Sequence, residues 1–353
     1  MMGAFWAYGT VSGSSFGFGG GVPAVTPMMV TQNFRGDWSN YSRGNFGNIS
    51  PLTNAGLFGR YAFYVNTDLA VVLWDNSRSM IQTWWVRALP DARIAISDTG
   101  LGALYAASTT RYDHGILGDN LEGEMAVIYN PETLSETRIA LPDNDVFEGV
   151  MPFWADIDED GTHDLVTTVS NVEVGARIRV YRTDGTMLAE GDPINEGDHW
   201  RHQLAFGAFG ANGEHELVTV RTPDTGGVVE YYRYQDGKLV LTAEQPGYTS
   251  HVANTRNLDL AVAGDFNGDG QLEIVLPDQE RHTLNALQRT MDGVAVVWSV
   301  SLDGALTSNL AAITLTNESL ALAAGTDKGI IQVWQSQFPP VPEATEESAG
   351  SGS

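Results

Sequence analysis

The chain has 353 residues, enough for one large repeat domain or two ordinary ones, so length alone leaves the fold open. Its 44 acidic against 19 basic side chains leave a net charge of −25, which repels a phosphate backbone and sets nucleic acid aside as a partner. Having no cysteine removes disulfide frameworks and zinc-thiolate sites, and no apolar run approaches the roughly 18 residues of a membrane-spanning helix.

Within residues 1–96, YAFYVNTDLAVVLWDN (61–76) and IQTWWVRAL (81–89) read as strands, while SGSSFGFGGG and NYSRGNFGNIS read as turns. The opening segment, MMGAFWAYGTVSGSSFGFGGG, has no basic stretch ahead of an apolar one, so no signal peptide is expected there. Next, RIAISDTGLGALYAAS (93–108) and EMAVIYNPETLSETRIAL (124–141) fit four strands with a long excursion between the second and third.

Two acidic stretches follow, DIDEDGTHDLV (156–166) and DFNGDGQLEIV (265–275). Counted from the first Asp, acceptors fall at positions 1, 3, 5 and 9: Asp156, Asp158, Asp160 and Asp164, then Asp265, Asn267, Asp269 and Glu273. Position 6 is Gly161 or Gly270, which permits a turn that aims the position-7 carbonyl of Thr162 or Gln271 at the same point. Hard oxygen ligands converging from a tight loop suit calcium, which takes about six to eight of them, and two such sites are expected. An EF-hand would need a bidentate acid at position 12, where Thr167 and Leu276 stand instead. The apolar runs LVTTV and IVL begin directly after position 9, so each loop joins two strands.

A third stretch, AFGANGEHELV (208–218), aligns without gaps but has Ala208 and Gly210 in place of the first two ligands; it keeps Gly213 and Glu216. It is expected to share the shape without a tight metal. The three loops begin at positions 156, 208 and 265, and each is followed at a nearly constant offset by a hairpin-turn dipeptide: Asp184-Gly185, Asp236-Gly237 and Asp292-Gly293. Four short strands recurring about every 50 residues predict the blades of an all-β, single β-propeller built from four-stranded antiparallel sheets. The last unit, LAAITLTNESLALAAGTDKGIIQVW (310–334), supplies three strands, so its fourth is expected from the N-terminal region, closing the ring. Residues 1–96 fit two compact blades, making seven, or one blade and an irregular cap, making six. The propeller is expected to end at 338, with 339–353 a disordered linker or tail rich in Pro, Glu, Ser and Gly.

The pattern Asp-x-Asp-x-Asp-Gly-x-x-Asp-Leu between two strands resembles the FG-GAP repeat of integrin-α-type propellers. Two repeats carry the resemblance (156–165 and 265–274) and one is degenerate. It implies a calcium-binding propeller at a cell surface or outside the cell, acting as a binding, adhesion or assembly module for a protein or carbohydrate ligand. The resemblance also covers scaffolds and some polysaccharide lyases, so a lyase is the alternative and a purely structural subunit a third reading.

If the A to B loops hold metal on one face, the B to C and D to A loops emerge on the other. His163 and His215 fall on the metal face. Arg111, Tyr112, His114, His199, Trp200, Arg201, His202, Tyr248, His251, Arg256, Arg281 and His282 all fall in opposite-face loops. Rings for stacking and guanidinium groups for a carboxylate or sulfate make them the candidate ligand-binding set, and the lyase alternative would draw its acid and base from Tyr112, His114, His202 or His251. No nucleophile elbow, His-Glu-x-x-His or phosphate loop is present, so no catalytic residue is assigned. Trp84, Trp85, Trp298 and Trp334 are expected in the core between blades.

Overall fold

Alternating β-branched and aromatic residues produce strands almost everywhere the sequence suggests them, and most described turns between them carry glycine, asparagine or aspartate. The computed structural model describes residues 49–335 except 54, 76–78, 196, 198 and 315–319, together with the backbone of Val30–Gln32 and Trp38–Asn40. Val30–Gln32 pairs antiparallel with Trp38–Asn40, and from 56 to 335 six further antiparallel sheets follow one another along the described residues.

Gly56–Phe58, Tyr61–Val65, Val71–Asp75 and Ser79–Trp84 form the first sheet. Ala95–Ile96, Gly102–Thr109, Glu122–Asn130 and Ser135–Ala140 form the second. The third comprises Phe153–Ala155, Asp164–Ser170, Arg177–Tyr181 and Met187–Gly191. Arg201–Gly207, Glu216–Arg221, Val228–Gln235 and Lys238–Pro246 make the fourth. Val262–Gly264, Glu273–Pro277, Thr283–Thr290 and Gly293–Ser301 make the fifth. Ala311–Thr314, Leu320–Gly325 and Ile331–Gln335 make a three-stranded sixth. Strands are called A to D in this order within each sheet.

The core lies between consecutive sheets. Phe63, Leu73, Leu104 and Tyr129 pack the first sheet on the second, Ile178 and Leu217 the third on the fourth, and Tyr231 and Ile274 the fourth on the fifth. Leu284 and Leu322 continue this between the fifth and sixth. Sheets stacked face to face in chain order, each meandering from strand A outward, define a single all-β propeller.

Two short pairings stitch neighbours together. Val146–Phe147 pairs with strand B of the third sheet and strand C of the second, and the outer strands of the third and fourth meet in parallel at Glu190–Lys238 and Gly191–Leu239. Neither pairing is legible as a strand alternation. The Asp-Gly dipeptides do mark C to D turns: Asp236 and Gly237 both have positive φ, +47° and +84°, as a two-residue hairpin turn requires.

In the N-terminal region the two described strands, Val30–Gln32 and Trp38–Asn40, pair with each other, and among the described residues no strand is added to the sixth sheet; the rest of residues 1–48 and the 339–353 tail lie outside the described residues. One expectation changes. Trp84 is buried against Tyr129, but Trp85 is 70% exposed, because adjacent strand residues point to opposite faces and only one of the pair can enter the core. Trp298 and Trp334 pack part-buried on the core between the fifth and sixth sheets.

Charge also ties the sheets. Arg201, expected in the ligand-binding set, is buried at the start of strand A of the fourth sheet. It donates to Glu230 at 2.9 Å and to the Ala176 and Asp192 carbonyls of the third sheet's connections at 3.0 and 2.7 Å. Glu230 also accepts from Arg221 at 2.7 Å and from the Tyr232 hydroxyl at 3.0 Å. Removing the carboxylate strands a buried guanidinium, which typically costs about 3 to 5 kcal/mol. Glu230→Ala is therefore expected to lower the urea-unfolding free energy by about that amount, while Glu230→Gln loses less; an unchanged midpoint for both variants would contradict the tie.

Candidate functional site

Both acidic loops are closed by their own side chains. In the first, Asp156 accepts the Asp160 and Gly161 amides at 3.0 and 2.9 Å, and Asp160 accepts the Thr162 amide at 2.8 Å. In the second, Asp265 accepts the Gly268, Asp269 and Gly270 amides and Asp269 accepts that of Gln271 at 2.8 Å. The position-6 residues Gly161, Gly213 and Gly270 all lie in the left-handed region, with φ between +82° and +88°, which favours glycine. Position 2 anchors each loop inward: Ile157, Phe209 and Phe266 are buried in the core clusters of the third to fifth sheets.

These turns gather carboxylates. Among the described residues two acidic groups offer oxygens within 4.8 Å of one another: Asp156, Asp158 and Asp164, and Asp265, Asp269 and Glu273. Either trio could hold a metal ion. The position-9 members, Asp164 and Glu273, are buried at the head of strand B, and each accepts a position-2 backbone amide, from Ile157 at 3.2 Å and from Phe266 at 2.6 Å. Burial, with Asp158 and Asp160 close by, pushes Asp164 up to about 7 against the pull of the Ile157 amide. Glu273 is pushed up to about 7 by burial, with Asp265 and Asp269 adding to it.

The donor set fits a hard divalent cation. Its oxygens are carboxylates held on a glycine-bent turn, and Asp158 Oδ1 is buried without a hydrogen-bond partner on a side chain only 10% exposed. Asp160 stands outside the first trio, turned toward Arg182 at 3.1 Å. Asn267 accepts the Asp269 amide at 2.8 Å and donates to the Asp269 carboxylate at 3.1 Å. Thr162 and Gln271 have their backbone amides engaged within the turns.

The third loop keeps the shape and neutralises its acid differently. Glu216 is buried and receives Arg233 at 2.8 Å, Arg289 of the neighbouring fifth sheet at 2.9 Å, and the Thr242 hydroxyl at 2.9 Å. The three loops share one face: His163 reaches Asp98 in the second sheet's A to B turn at 3.2 Å, and His215 reaches Glu159 in the first acidic loop at 3.2 Å.

On the opposite face the candidate ligand-binding residues are drawn together by internal partners. Arg256 holds Asp91 at 2.7 Å and Asp119, the Asn254 amide donates to the Ile116 carbonyl at 2.8 Å, and Arg93 holds Asp259 at 2.9 Å. The 110–121 and 247–261 connections thereby meet, and Leu117, Val150, Trp200 and Leu258 pack beneath them. Arg111 bonds Glu124 and the Asp145 carbonyl, and Tyr112 is buried. His114 Nδ1 lies 2.5 Å from Glu148, His199 Nδ1 lies 2.6 Å from the Gly197 carbonyl, and Tyr248 is buried. His251 is fixed at both ring nitrogens, by Asp224 at 2.7 Å and the Thr255 carbonyl at 2.8 Å. In the fifth sheet's B to C connection His282 is exposed and Arg281 half-buried.

A cavity of about 200 Å³ lies where the inner strands and D to A connections converge, lined among others by Arg93, Glu148, Trp200, His202, Gln203 and Asp259. His202 stacks on Trp200 and meets Ser250 Oγ at 2.8 Å. Buried beside the cavity's Glu148 is Glu122, pushed well above the carboxylate range by burial and then by the Glu148 charge. Nothing in the sequence singles out Glu122, Glu148 or Arg93, because a lone acid or base on a strand edge looks like any surface charge.

No protein-family model matches the chain, and no curated protein matches it. Solved structures with similar chains include BamB from Moraxella catarrhalis, at 14% identity and a TM-score of 0.45, covering 81% of this chain and 70% of that one. The Dos1 propeller gives 11% and 0.47, covering 86% and 70%. BBS1N in complex with ARL6DN gives 15% and 0.45, covering 82% and 78%. No residue and no role passes from them to this chain.

The surroundings of His202 set a pH dependence. Burial, then the neighbouring His251 and Arg93, push its ring down to about 3, so it stays neutral in the folded protein. Unfolded histidine titrates near 6.5, so between about 3 and 6.5 the unfolded chain binds the extra proton. Stability contributed by the neutral ring is complete above that window and is lost as pH falls through it. His202→Asn is expected to flatten the dependence of the urea midpoint on pH between 3 and 6.5 relative to the parent; parallel profiles would contradict a buried neutral ring.

Proposed function

We propose that the acidic turns at 156–164 and 265–273 each take one calcium ion, in the manner of FG-GAP repeats, and that the propeller serves as an extracellular or cell-surface binding and assembly module. The observation that carries the metal reading is the position-9 carboxylate. Asp164 and Glu273 are buried at the base of turns that bring two further carboxylates within 4.8 Å, and Asp158 Oδ1 of the first trio is buried without a hydrogen-bond partner. Several acids at such spacing disfavour one another's ionised forms unless a cation joins them. Calcium would be held by Asp156, Asp158 and Asp164 in one turn and by Asp265, Asp269 and Glu273 in the other. It would supply charge neutralisation and lock the A to B connections of the third and fifth sheets.

The fold supports a protein partner. A ring of sheets exposes two loop-bearing faces and an outer wall, which suits docking of a protein partner more than enclosure of a small substrate. A carbohydrate ligand is a narrower proposal on the opposite face, where His282 is exposed and Arg281 half-buried. For the lyase alternative, Tyr112 is buried and His114, His202 and His251 have internal partners, while His202 lines the cavity beside Arg93 and Glu148. Incubation with a panel of uronate polymers, followed by absorbance of unsaturated ends, is expected to stay flat; a rise would restore that reading.

Binding to the folded chain alone adds stability by linkage, about 2.7 kcal/mol when the ion exceeds its dissociation constant a hundredfold. EDTA is therefore expected to lower the melting temperature by several degrees, and Asp158→Ala combined with Asp269→Ala to shrink that response. A melting curve unmoved by chelation would contradict the metal reading.

A further inference from the structure

The three turns present one buried acid to three different partners. In each, the position-9 residue heads strand B, and antiparallel pairing sets one residue of strand C opposite it. Leu165 pairs with Tyr181, so Asp164 faces Arg182; Leu217 pairs with Tyr232, so Glu216 faces Arg233; Glu273 pairs directly with Gln288. The turns therefore form a series in how many guanidinium groups enter them.

Glu216 is at one end, closed by both Arg233 and Arg289. The turn at 265–273 is at the other: Gln288 donates a neutral amide to Asp269 at 2.8 Å and to Glu273 at 3.5 Å. The turn at 156–164 lies between. Arg182 donates to Asp158 Oδ2 at 2.6 Å and to Asp160 Oδ2 at 3.1 Å, leaving Asp158 Oδ1 free.

We propose that Arg182 is a built-in competitor for the cation in the 156–164 turn, and that Gln288 in the same cross-strand place makes the 265–273 turn the tighter of the two calcium sites. This rests on the metal reading above. The guanidinium claims one oxygen of Asp158, and a divalent ion brought to the other oxygen of that carboxylate meets a positive charge a few ångströms away. The repulsion is large at short range in a protein and is reduced by solvent, because the Arg182 side chain is 40% exposed. The expected net penalty is on the order of tenfold in affinity. Arg182 also ties Asp160 away from the trio, so the competition removes a potential ligand as well as opposing the charge.

The test is calorimetric titration of calcium into the full chain after chelator treatment. Two binding steps of unequal affinity are expected. Asp156→Ala should remove the weaker and Asp265→Ala the tighter. Arg182→Gln should tighten the weaker step roughly tenfold, and Gln288→Arg should weaken the tighter one, each read without any assay of biological activity. An Arg182→Gln variant whose weaker step is unchanged or looser, or loss of the weaker step in Asp265→Ala, overturns the proposal while leaving the metal reading in place. No binding heat in either the parent or Arg182→Gln, checked by equilibrium dialysis, overturns the metal reading itself.

Discussion

A carboxylate set at the head of a buried strand has to be neutralised where water cannot reach it, and that constraint recurs in three successive sheets of this propeller. Asp164, Glu216 and Glu273 occupy equivalent places, each at the end of a turn bent by a glycine at positive φ. The A to B turn could have ended on an apolar residue; an acid there is a standing cost unless something positive arrives. Glu216 is met from within the chain by two arginines. Around Asp164 and Glu273 burial and further acids outweigh Arg182 in one turn and leave only the neutral Gln288 amide in the other, and the carboxyls sit near 7 rather than in their usual range. The same local shape thus meets an internal guanidinium pair in one turn and, on the proposed reading, an external cation in the other two.

The ring separates these turns from everything at the other ends of the strands. On the face of the acidic loops, contacts run from sheet to sheet through His163 and His215. On the other face, Arg256, Arg93 and Asp259 draw together connections far apart in the chain, over a small polar cavity. Many of the cations and aromatic rings concentrated there are engaged in internal pairs, which explains how a protein of net charge −25 keeps basic residues clustered without offering a bare basic surface.

Much of this was legible in the sequence because propeller strands are local. The near-regular recurrence of the acidic loops, the glycines at positions 161, 213 and 270 and the Asp-Gly dipeptides register backbone needs that do not depend on the rest of the fold. What stayed hidden depends on pairing across strands or sheets. Arg182, Arg233 and Arg289 each stand just ahead of an Asp-Gly turn, a recurrence visible in the sequence, yet their role follows only once register places two of them opposite an acid and the third against a neighbouring sheet's acid. The basic and aromatic loop residues illustrate the converse. Their types and placement read as a ligand rim, while Arg201 and His251 are buried ties between connections, a distinction that composition cannot carry. Trp84 and Trp85 look alike in a strand-like run, and alternation alone separates core from surface.

Anomalous scattering from crystals grown in saturating calcium tests the central claim most directly. The account predicts one peak among Asp156, Asp158 and Asp164, another among Asp265, Asp269 and Glu273, and none beside Glu216. Both acidic turns without a peak, or a cation bound at Glu216 in place of its arginines, would contradict it.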